Sequence, residues 1–245
     1  MESSAPKFSK LSIVVPVYNE ERYVDIVMER LARLPLPAGL EKEIIAVDDC
    51  SRDSTPEKLK AWEAKGVKVV RHAVNQGKGA AVRTGFKSVS GDIVVVQDAD
   101  LEYNPDEIPH LLVPILDGRA DAVFGARASF TGGGCHRVMY FWHYVINSFL
   151  TLACNMLANL TLHDMECCYK MFKREIVDKV KLEEPRFGIE PEITIKVASL
   201  GCRIYEVPVS YSGRTYAEGK KINWKDGVSA LRCIVKYGII RKLLP

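Results

Sequence analysis

The stretch DIVVVQDADLEY (residues 92–103) joins a run of four apolar β-formers to a cluster of acidic residues. A short apolar run of this kind is typical of a strand that is buried on both faces, as in a parallel sheet. Two earlier segments, LSIVVPVY (11–18) and EIIAVDD (43–49), have the same form, and helical patterns separate them. Strands that alternate with helices predict an α/β fold, in which helices flank a Rossmann-like, mostly parallel sheet.

Further elements continue this alternation as far as residue 127. A helix is expected from Tyr23 to Leu31, and Ser54, Pro56 and Glu57 have the spacing of a capping box that begins another. Strands are expected in VKVVRH (67–72) and DAVFGAR (121–127). Beyond residue 128 the rhythm changes to a mixed α+β pattern: a Gly-rich turn (132–134), a long helix (137–160), a strand (168–174), a helix (190–201) and a strand (203–211).

Composition excludes several classes of protein. Hydrophobic residues make up 47% and charged residues 27% of the 245 residues, which excludes disordered, collagen-like and coiled-coil chains and fits one domain over 1–245. A net charge of +3 is too small to indicate bulk nucleic-acid binding. The seven cysteines form no CxxC pair, so neither a disulfide framework nor a zinc module is expected. The first ten residues lack a secretory signal, and no clean apolar run reaches about 18 residues, so we expect a cytoplasmic protein.

Acidic side chains cluster where three of the predicted strands end: Glu20, Asp48, Asp49, Asp98, Asp100 and Glu102. Ligands of open α/β sheets bind at the carboxyl ends of the parallel strands. Carboxylates crowded at one edge are costly unless a cation or hydrogen-bond donors neutralise them. The sequence therefore predicts Mg²⁺ or Mn²⁺ at this edge, held by the alternating residues Asp98 and Asp100 with Glu102 in phase.

A turn at NQGKGA (75–80) opens one of the predicted helices. Free N–H groups at the start of a helix favour anions, so Gly77 and Lys78 are candidate phosphate ligands; a plain start of a helix is the alternative. The motifs GxxxxGK[ST] and, after the first strand, GxGxxG are missing, which disfavours a P-loop ATPase and a dinucleotide oxidoreductase.

Five motifs occur in a fixed order: VVPVYNE (14–20), VDDCSRDST (47–55), NQGKGAA (75–81), DADLEY (98–103) and FGAR (124–127). In order and spacing they resemble family 2 glycosyltransferases of the GT-A fold. The likeness is greatest to the group of dolichyl-phosphate mannose synthases and polyprenyl-phosphate glucosyltransferases. HDMECCYK (163–170) and GRTYAEGKK (213–221) resemble the acceptor-side motifs of that group, so the resemblance covers about residues 10–240.

The resemblance implies a nucleotide-sugar half (10–127) and an acceptor half (128–245). In the first half it implies that Pro16, Tyr18, Glu20 and Asp48 bind the nucleoside, with Asp98, Asp100 and Glu102 around the metal. The further candidate substrate-binding residues are Asp49, Gly77, Lys78 and Asp98. In the second half it assigns the acceptor phosphate to Arg127, Arg137 and Arg214, assisted by Lys220 or Lys221. Arginine suits this role because two of its N–H groups can bond phosphate oxygens in parallel. Glu102 stands where the mannose synthases commonly have Gln, which weakens an assignment to mannose and slightly favours uridine over guanosine.

The expected chemistry is an inverting displacement, because a metal-neutralised nucleoside diphosphate is a good leaving group. The candidate catalytic residues are Asp100, Asp164 and Glu166. A phosphate acceptor is already anionic at neutral pH and needs no general base. A hydroxyl acceptor would need one, for which Asp164 and Glu166 are the candidates; the alternative is that they only order their loop. On this basis Asp164→Asn would abolish transfer to a hydroxyl but merely slow transfer to a phosphate.

Three functions remain open from the sequence. The first is a transferase that moves a hexose from a UDP- or GDP-sugar to a polyprenyl or dolichyl phosphate at the cytoplasmic membrane face. The others are a soluble family 2 enzyme that glycosylates a saccharide or protein hydroxyl, and a nucleotide-sugar-binding protein without catalysis. Two amphipathic segments, 137–160 and the basic 224–244, would pack in the core or lie on a membrane surface.

Overall fold

One seven-stranded sheet forms the centre of the computed structural model, which describes residues 8–131, 137–138, 140–215, 218 and 224–240. Its strands are β1 (Lys10–Val17), β2 (Glu41–Asp48), β3 (Lys68–Arg71), β4 (Ile93–Val96), β5 (Ala122–Arg127), β6 (Lys170–Lys173) and β7 (Ile204–Val209). Their order is β3-β2-β1-β4-β6-β5-β7. β6 runs antiparallel to β4 and β5, and the other strand pairs are parallel. The predicted mostly parallel α/β sheet is confirmed.

Helices pack on both faces of this sheet. In the described residues they are α1 (Val24–Arg33), α2 (Thr55–Glu63), α3 (Lys78–Phe86), α4 (Ile108–Leu116), α5 (Ala128–Thr131), α6 (Phe141–Ala158), α7 (Arg174–Lys179), α8 (Ile189–Ser199) and α9 (Trp224–Val235). A 3₁₀ turn (Pro105–Glu107) precedes α4, and a π-helical turn (Lys236–Ile240) follows α9. Within the described ranges, no helix is both long and apolar enough to cross a bilayer.

The hydrophobic core is divided by the sheet into two layers. Leu11, Ile13 and Val15 of β1 belong to the layer completed by α1 and α4, whereas Val14 belongs to the layer completed by α3 and α8. Successive residues of a strand point to opposite faces. A strand covered on both faces therefore has to be apolar throughout, which explains the unbroken run at the start of the chain.

The structure corrects two predicted details. The long helix begins at Phe141, not near Arg137, and it ends where Asn159 takes a left-handed φ of 55°. The capping box of α2 does not form, because the Ser54 Oγ donates to Glu21 Oε2 at 2.7 Å and makes no capping hydrogen bond. The predicted basic helix is α-helical to Val235 and continues as the π-helical turn to Ile240. The end of that predicted helix (241–244) and the Gly-rich turn (132–134) lie outside the described residues.

Two helical glycines provide a matched test of this packing. A Cβ on Gly85 of α3 would stand 2.2 Å from Val14 Cγ1, whereas on Gly227 of α9 the nearest such atom is Ile146 Cγ2 at 3.8 Å. We expect Gly85→Ala to lower the free energy of unfolding by about 1–3 kcal/mol through overpacking. Gly227→Ala should raise it by about 0.5–1 kcal/mol, because alanine favours the helix. Urea denaturation measures both, and stabilisation by both substitutions would contradict the contact between α3 and β1.

Candidate active site

Three strained residues follow parallel strands at the carboxyl edge of the sheet. Asn19 after β1, Cys50 after β2 and Leu101 after β4 have φ values of 50°, 63° and 60°. A left-handed backbone costs a non-glycine residue roughly 1–2 kcal/mol, and such strain concentrates at functional sites. The first two turns are joined, since Asn19 N donates to Ser51 Oγ at 2.9 Å and Arg52 N donates to Asn19 Oδ1 at 2.8 Å. This edge of the sheet is therefore held as one unit.

Arg214 brings acidic residues from two loops of the first half together. Its guanidinium lies 2.8 Å from Asp100 Oδ2, 3.2 Å from Glu102 Oε1 and 3.3 Å from Glu20 Oε2. The side chain is only 12% exposed. Burial, together with the charges of Asp98 and Glu102, raises the pKa of Asp100 to about 7 against the opposing effect of Arg214. The structure thus places Arg214 among the carboxylates of the donor edge.

Lys78 neutralises the remaining carboxylate of this edge. Its Nζ lies 2.9 Å from Asp98 Oδ1, 2.8 Å from Cys168 Sγ and 3.6 Å from Glu190 Oε1. Burial alone would lower the pKa of Lys78, but Asp98, Cys168 and Glu190 outweigh it and raise that pKa well above its usual value. Lys78 is therefore a permanent cation, and its contact with Cys168 and Glu190 was not foreseen from the sequence.

The carboxylates at this carboxyl edge of the sheet, the donor edge, are suitable ligands for a divalent cation. However, the predicted cluster of Asp98, Asp100 and Glu102 is not arranged to hold one. Among the described residues, no three His, Cys, Asp or Glu side chains are arranged to hold a metal ion. Glu102 instead accepts hydrogen bonds from Tyr211 Oη at 2.8 Å and from the backbone N of Arg214 at 2.9 Å, so it anchors that segment. Asp98 and Asp100 offer the hard oxygens that Mg²⁺ and Mn²⁺ prefer. A bound cation would take over charge that Lys78 and Arg214 now balance.

The two aspartates at the end of β2 have different surroundings. Asp48 is buried; its Oδ1 accepts the Ser51 N–H at 2.9 Å. Its Oδ2 lies 3.1 Å from Arg71 Nε but takes no hydrogen bond from the described residues. Pro16 and Tyr18, at the end of the neighbouring β1, are half-buried. Asp48 is therefore buried next to Arg71, and its contact with a nucleoside stays a prediction.

Asp49 is committed to the turn that precedes α3. Its carboxylate accepts the N–H groups of Gln76 at 2.8 Å and Gly77 at 2.7 Å, and it lies 2.7 Å from His72 Nδ1. The N–H of Ala80 donates to the carbonyl of Pro185 at 3.0 Å. These bonds leave Asp49 a positioning role in place of the predicted contact with substrate.

The predicted phosphate-binding turn is corrected on the same grounds. A Cβ on Gly77 would stand 2.5 Å from the carbonyl oxygen of Pro185, and one on Gly79 would stand 2.2 Å from that of Glu184. The segment 184–186 thus covers the start of α3 closely, and the Gly77 N–H is already bonded. The plain start of a helix, which was the alternative, describes this turn.

Arg127 and Asp164 form a buried ion pair. Arg127 Nε donates to Asp164 Oδ2 at 2.6 Å and its Nη2 donates to Asp164 Oδ1 at 2.7 Å. Burial alone would raise the pKa of Asp164, but the charge and hydrogen bonds of Arg127 lower it below its usual value. Such a carboxylate is a poor general base. These contacts favour an ordering role for Asp164, and its role in proton transfer stays a prediction.

Glu166 retains the properties of a candidate base. Its Oε1 is buried and has no hydrogen-bond partner among the described residues. Burial and the charge of Glu190 raise the pKa of Glu166 to about 7. A carboxyl with a pKa near neutrality is what a general base requires. The role of Glu166 stays a prediction.

Arg137 does not join Arg127. Its Nη1 donates to the carbonyl of Gly213 at 2.9 Å and lies 3.4 Å from Glu218 Oε2, so it holds the segment that carries Arg214. Lys220 and Lys221 lie outside the described residues. The predicted cluster of three arginines is therefore divided between two places. Tyr211, which sequence reasoning missed, lies between them: its ring is 5.1 Å from the Arg127 guanidinium, and its hydroxyl bonds Glu102.

Known glycosyltransferases match this chain along most of its length. The family model described as glycosyl transferase family 2 matches residues 12–181. A dolichol-phosphate mannosyltransferase of Pyrococcus furiosus is 33% identical over 215 residues, which cover 86% of this chain and 59% of that protein. An undecaprenyl-phosphate 4-deoxy-4-formamido-L-arabinose transferase of Pseudomonas aeruginosa is 32% identical over 213 residues, with coverages of 86% and 60%. The chain thus spans about three fifths of the length of these curated relatives.

Solved structures share the fold. Glucosyl-3-phosphoglycerate synthase from Mycobacterium tuberculosis in complex with UDP has a TM-score of 0.70 at 22% identity, covering 93% of this chain and 79% of that one. Its complex with Mn²⁺, UDP and glucosyl-3-phosphoglycerate has a TM-score of 0.67 at 22% identity, with coverages of 94% and 80%. At this identity the likeness concerns the fold alone, and it confirms the predicted GT-A architecture.

The buried ion pair predicts a large effect of removing one charge. Asp164→Asn leaves the Arg127 guanidinium buried without a counter-ion, and we expect it to lower the free energy of unfolding by about 3–5 kcal/mol at pH 7. Asp178→Asn is the matched control, because Asp178 pairs with Arg174 on the surface of α7; its effect should stay below about 1 kcal/mol. Urea denaturation of both variants measures the difference.

The pH dependence of that difference has a fixed sign. The folded state holds the pKa of Asp164 below its unfolded value, so the stabilisation is present above about pH 4 and is lost as the pH falls below it. The gap in stability between wild type and Asp164→Asn should therefore narrow in acid. Equal losses for Asp164→Asn and Asp178→Asn at pH 7 would contradict the burial of the pair.

Proposed function

This chain belongs to glycosyl transferase family 2, and we propose from that premise that it transfers a hexose from a UDP- or GDP-sugar to a polyprenyl or dolichyl phosphate. The observation that carries the proposal is the position of Tyr211. This ring contacts the Arg127 guanidinium by one face and bonds Glu102 through its hydroxyl. Only the side chain of Tyr211 therefore separates the Arg127 guanidinium from the carboxylates at the edge of the sheet. Two phosphorylated substrates that react with each other would need binding sites as close as these.

The donor would bind at the carboxylate edge. Pro16 and Tyr18 are half-buried at this edge and would contact the nucleoside together with Asp48. Asp98 and Asp100 would hold a divalent cation, which supplies charge neutralisation for the departing diphosphate when bound. The related fold in glucosyl-3-phosphoglycerate synthase was solved with Mn²⁺ or Mg²⁺ together with UDP, which supports the same use here. Arg214 and Lys78 would then be free to turn toward phosphate oxygens.

The acceptor phosphate would bind at Arg127. The hydrogen bonds among the described residues use Nε and Nη2 of this side chain, so Nη1 is available to a phosphate oxygen. A phosphate monoester is anionic at neutral pH and attacks without a base. The lowered pKa of Asp164 agrees with this chemistry, since that carboxylate is fixed as the counter-ion of Arg127. The names of the curated relatives specify dolichol and undecaprenyl phosphates.

A hydroxyl acceptor is the second candidate. Glu166 favours it, because its buried Oε1 lacks a hydrogen bond among the described residues and its pKa is raised to about 7. In that case the carboxylate of Glu166 would accept the proton of a saccharide or protein hydroxyl as the bond to the anomeric carbon forms.

Helix α6 supports an acceptor held in a lipid surface, because large apolar side chains cover its exposed face. Its buried face carries Asn147 and Thr151, whereas Trp142 and Met156 are 71% and 75% exposed. Further exposed apolar residues of the same helix are Phe141, Ile146, Phe149 and Leu152. Exposed apolar surfaces of this extent mark contacts with a partner or a membrane. Such a face would place the helix on the surface of a bilayer, with its aromatic rings at the level of the headgroups.

Turnover tests the proposed reaction directly. The purified chain with Mn²⁺, a panel of UDP- and GDP-sugars and farnesyl phosphate should yield a prenyl-phosphate hexose, detected by mass spectrometry. EDTA should abolish the product, and Asp100→Asn should lower kcat by about 10²-fold or more, because a ligand of the charge-neutralising cation is lost. Asp106→Asn, at an exposed acidic residue nearby, is the matched control and should have no effect. Transfer to a sugar hydroxyl but not to farnesyl phosphate would establish the second candidate, and nucleotide binding without any turnover would exclude both.

Vesicle binding tests the lipid contact separately. We expect the protein to co-sediment with anionic vesicles, and more at low than at high salt, because the chain carries a net charge of +3 and salt screens its attraction to anionic headgroups. Phe149→Asp should reduce co-sedimentation several-fold by placing a charge in the apolar face. The control is Val113→Asp, at an exposed valine of α4. Equal recovery in the supernatant with and without vesicles would exclude the lipid contact.

A further inference from the structure

Three polar side chains recur along α6 at a spacing of four residues: Asn147 and Thr151, which are buried, and Asn155, which is half-buried. The amide of Asn155 accepts the Leu162 N–H at 3.0 Å and donates to the Leu162 carbonyl at 2.8 Å. Thr151 Oγ1 accepts the Met165 N–H at 3.1 Å. These two residues bind backbone, so they fix the course of the chain after the helix.

Asn147 has different partners. Its Oδ1 accepts from Arg127 Nη2 at 3.0 Å, and its Nδ2 donates to Asp164 Oδ1 at 3.1 Å. The side chain of Asn147 therefore bonds both members of the buried ion pair and, among the described residues, makes no hydrogen bond to backbone. A neutral amide can do this because it offers one acceptor and two donors.

The third contact restricts a motion that the ion pair alone permits. A bidentate arginine–carboxylate pair fixes the two groups relative to each other, but both can still swing together on their side chains. Asn147 approaches from a separate element and shares Nη2 with Asp164. The guanidinium plane is thus defined by β5, by the loop at 164 and by α6 together. The carboxylate of Asp164 neutralises the charge of Arg127, whereas the uncharged amide of Asn147 only helps to fix the orientation of the guanidinium.

We propose that Asn147 is a positioning residue of the transfer reaction, which orients the Arg127 guanidinium so that Nη1 meets the acceptor phosphate. This inference rests on the proposed function, because it takes Arg127 as the ligand of that phosphate. The opposite face of α6 carries the exposed apolar residues. One rigid helix therefore both faces the lipid and directs the arginine, and it keeps the phosphate site at a fixed distance from the lipid-facing surface.

A pair of matched variants separates positioning from folding. Asn147→Leu and Asn155→Leu each remove two amide hydrogen bonds from the same helix, so both should lower the thermal midpoint. In Asn147→Leu, we expect the KM for farnesyl phosphate to rise about tenfold, as for the loss of a hydrogen bond to a charged group, while the KM for the sugar nucleotide changes less than about twofold. Asn155→Leu should leave both KM values within about twofold of wild type. A calorimetric titration of farnesyl phosphate should show the same tenfold loss of affinity without turnover.

Different results would contradict the positioning role of Asn147 and the proposed transfer reaction. Kinetics of Asn147→Leu that equal those of Asn155→Leu, or equal losses toward donor and acceptor, would overturn the positioning role alone. Wild-type protein that neither binds nor glycosylates farnesyl phosphate would overturn the proposed function, and this inference with it. If Asn147→Leu does not fold, the smaller change Asn147→Ser is measured in the same way. It should raise the KM for farnesyl phosphate selectively, and an unchanged KM would count against the inference.

Discussion

Mutual repulsion among carboxylates at one edge of the sheet is the constraint on which the rest of the site depends. A five-residue segment after β4 carries Asp98, Asp100 and Glu102. Burial and the charges of Asp98 and Glu102 raise the pKa of Asp100 to about 7. Two charges about 4 Å apart interact far more strongly in a protein than in water, so this edge needs cations. Lys78 comes from α3 and Arg214 from the segment after β7. The contacts of Arg214 that neutralise this edge therefore also join the second half of the chain to the first.

The site around Arg127 also contains a buried charge that has to be neutralised. A buried arginine such as Arg127 is costly without a partner, and Asp164 supplies one. Buried ion pairs add little net stability compared with apolar packing, but removal of one member is severe. The main effect of this pair is thus to orient the Arg127 guanidinium rather than to stabilise the fold. Asn147 extends it to α6, whose outward apolar face is unusual for a helix bathed in water on that side.

These two charge centres are the basis for proposing a phosphate rather than a hydroxyl as the acceptor. At the donor edge, Arg214 and Lys78 are held by carboxylates that a divalent cation would neutralise in their place. At the acceptor side, Asp164 is engaged as the counter-ion of Arg127, whose charge and hydrogen bonds lower its pKa. A nucleophile that arrives already charged needs no proton acceptor. Tyr211 keeps the two centres adjacent without allowing Arg127 to pair with Glu102 directly.

The sequence by itself determined the alternation of strands and helices, the parallel edge, the acidic residues at the strand ends and the family resemblance, because these follow from periodicity and from local order along the chain. Only the tertiary structure decided which charges meet. Arg214 and Glu20 are 194 residues apart in the sequence, and Arg127 and Asp164 are 37 apart, so no local pattern records either contact. The same reason explains why the contacts made by Glu102, Gly77 and Asp164 could not be predicted from the sequence. Their partners, Tyr211 and Arg214 for Glu102, Asp49 for Gly77 and Arg127 for Asp164, are brought to them only by the packing of the sheet and its loops.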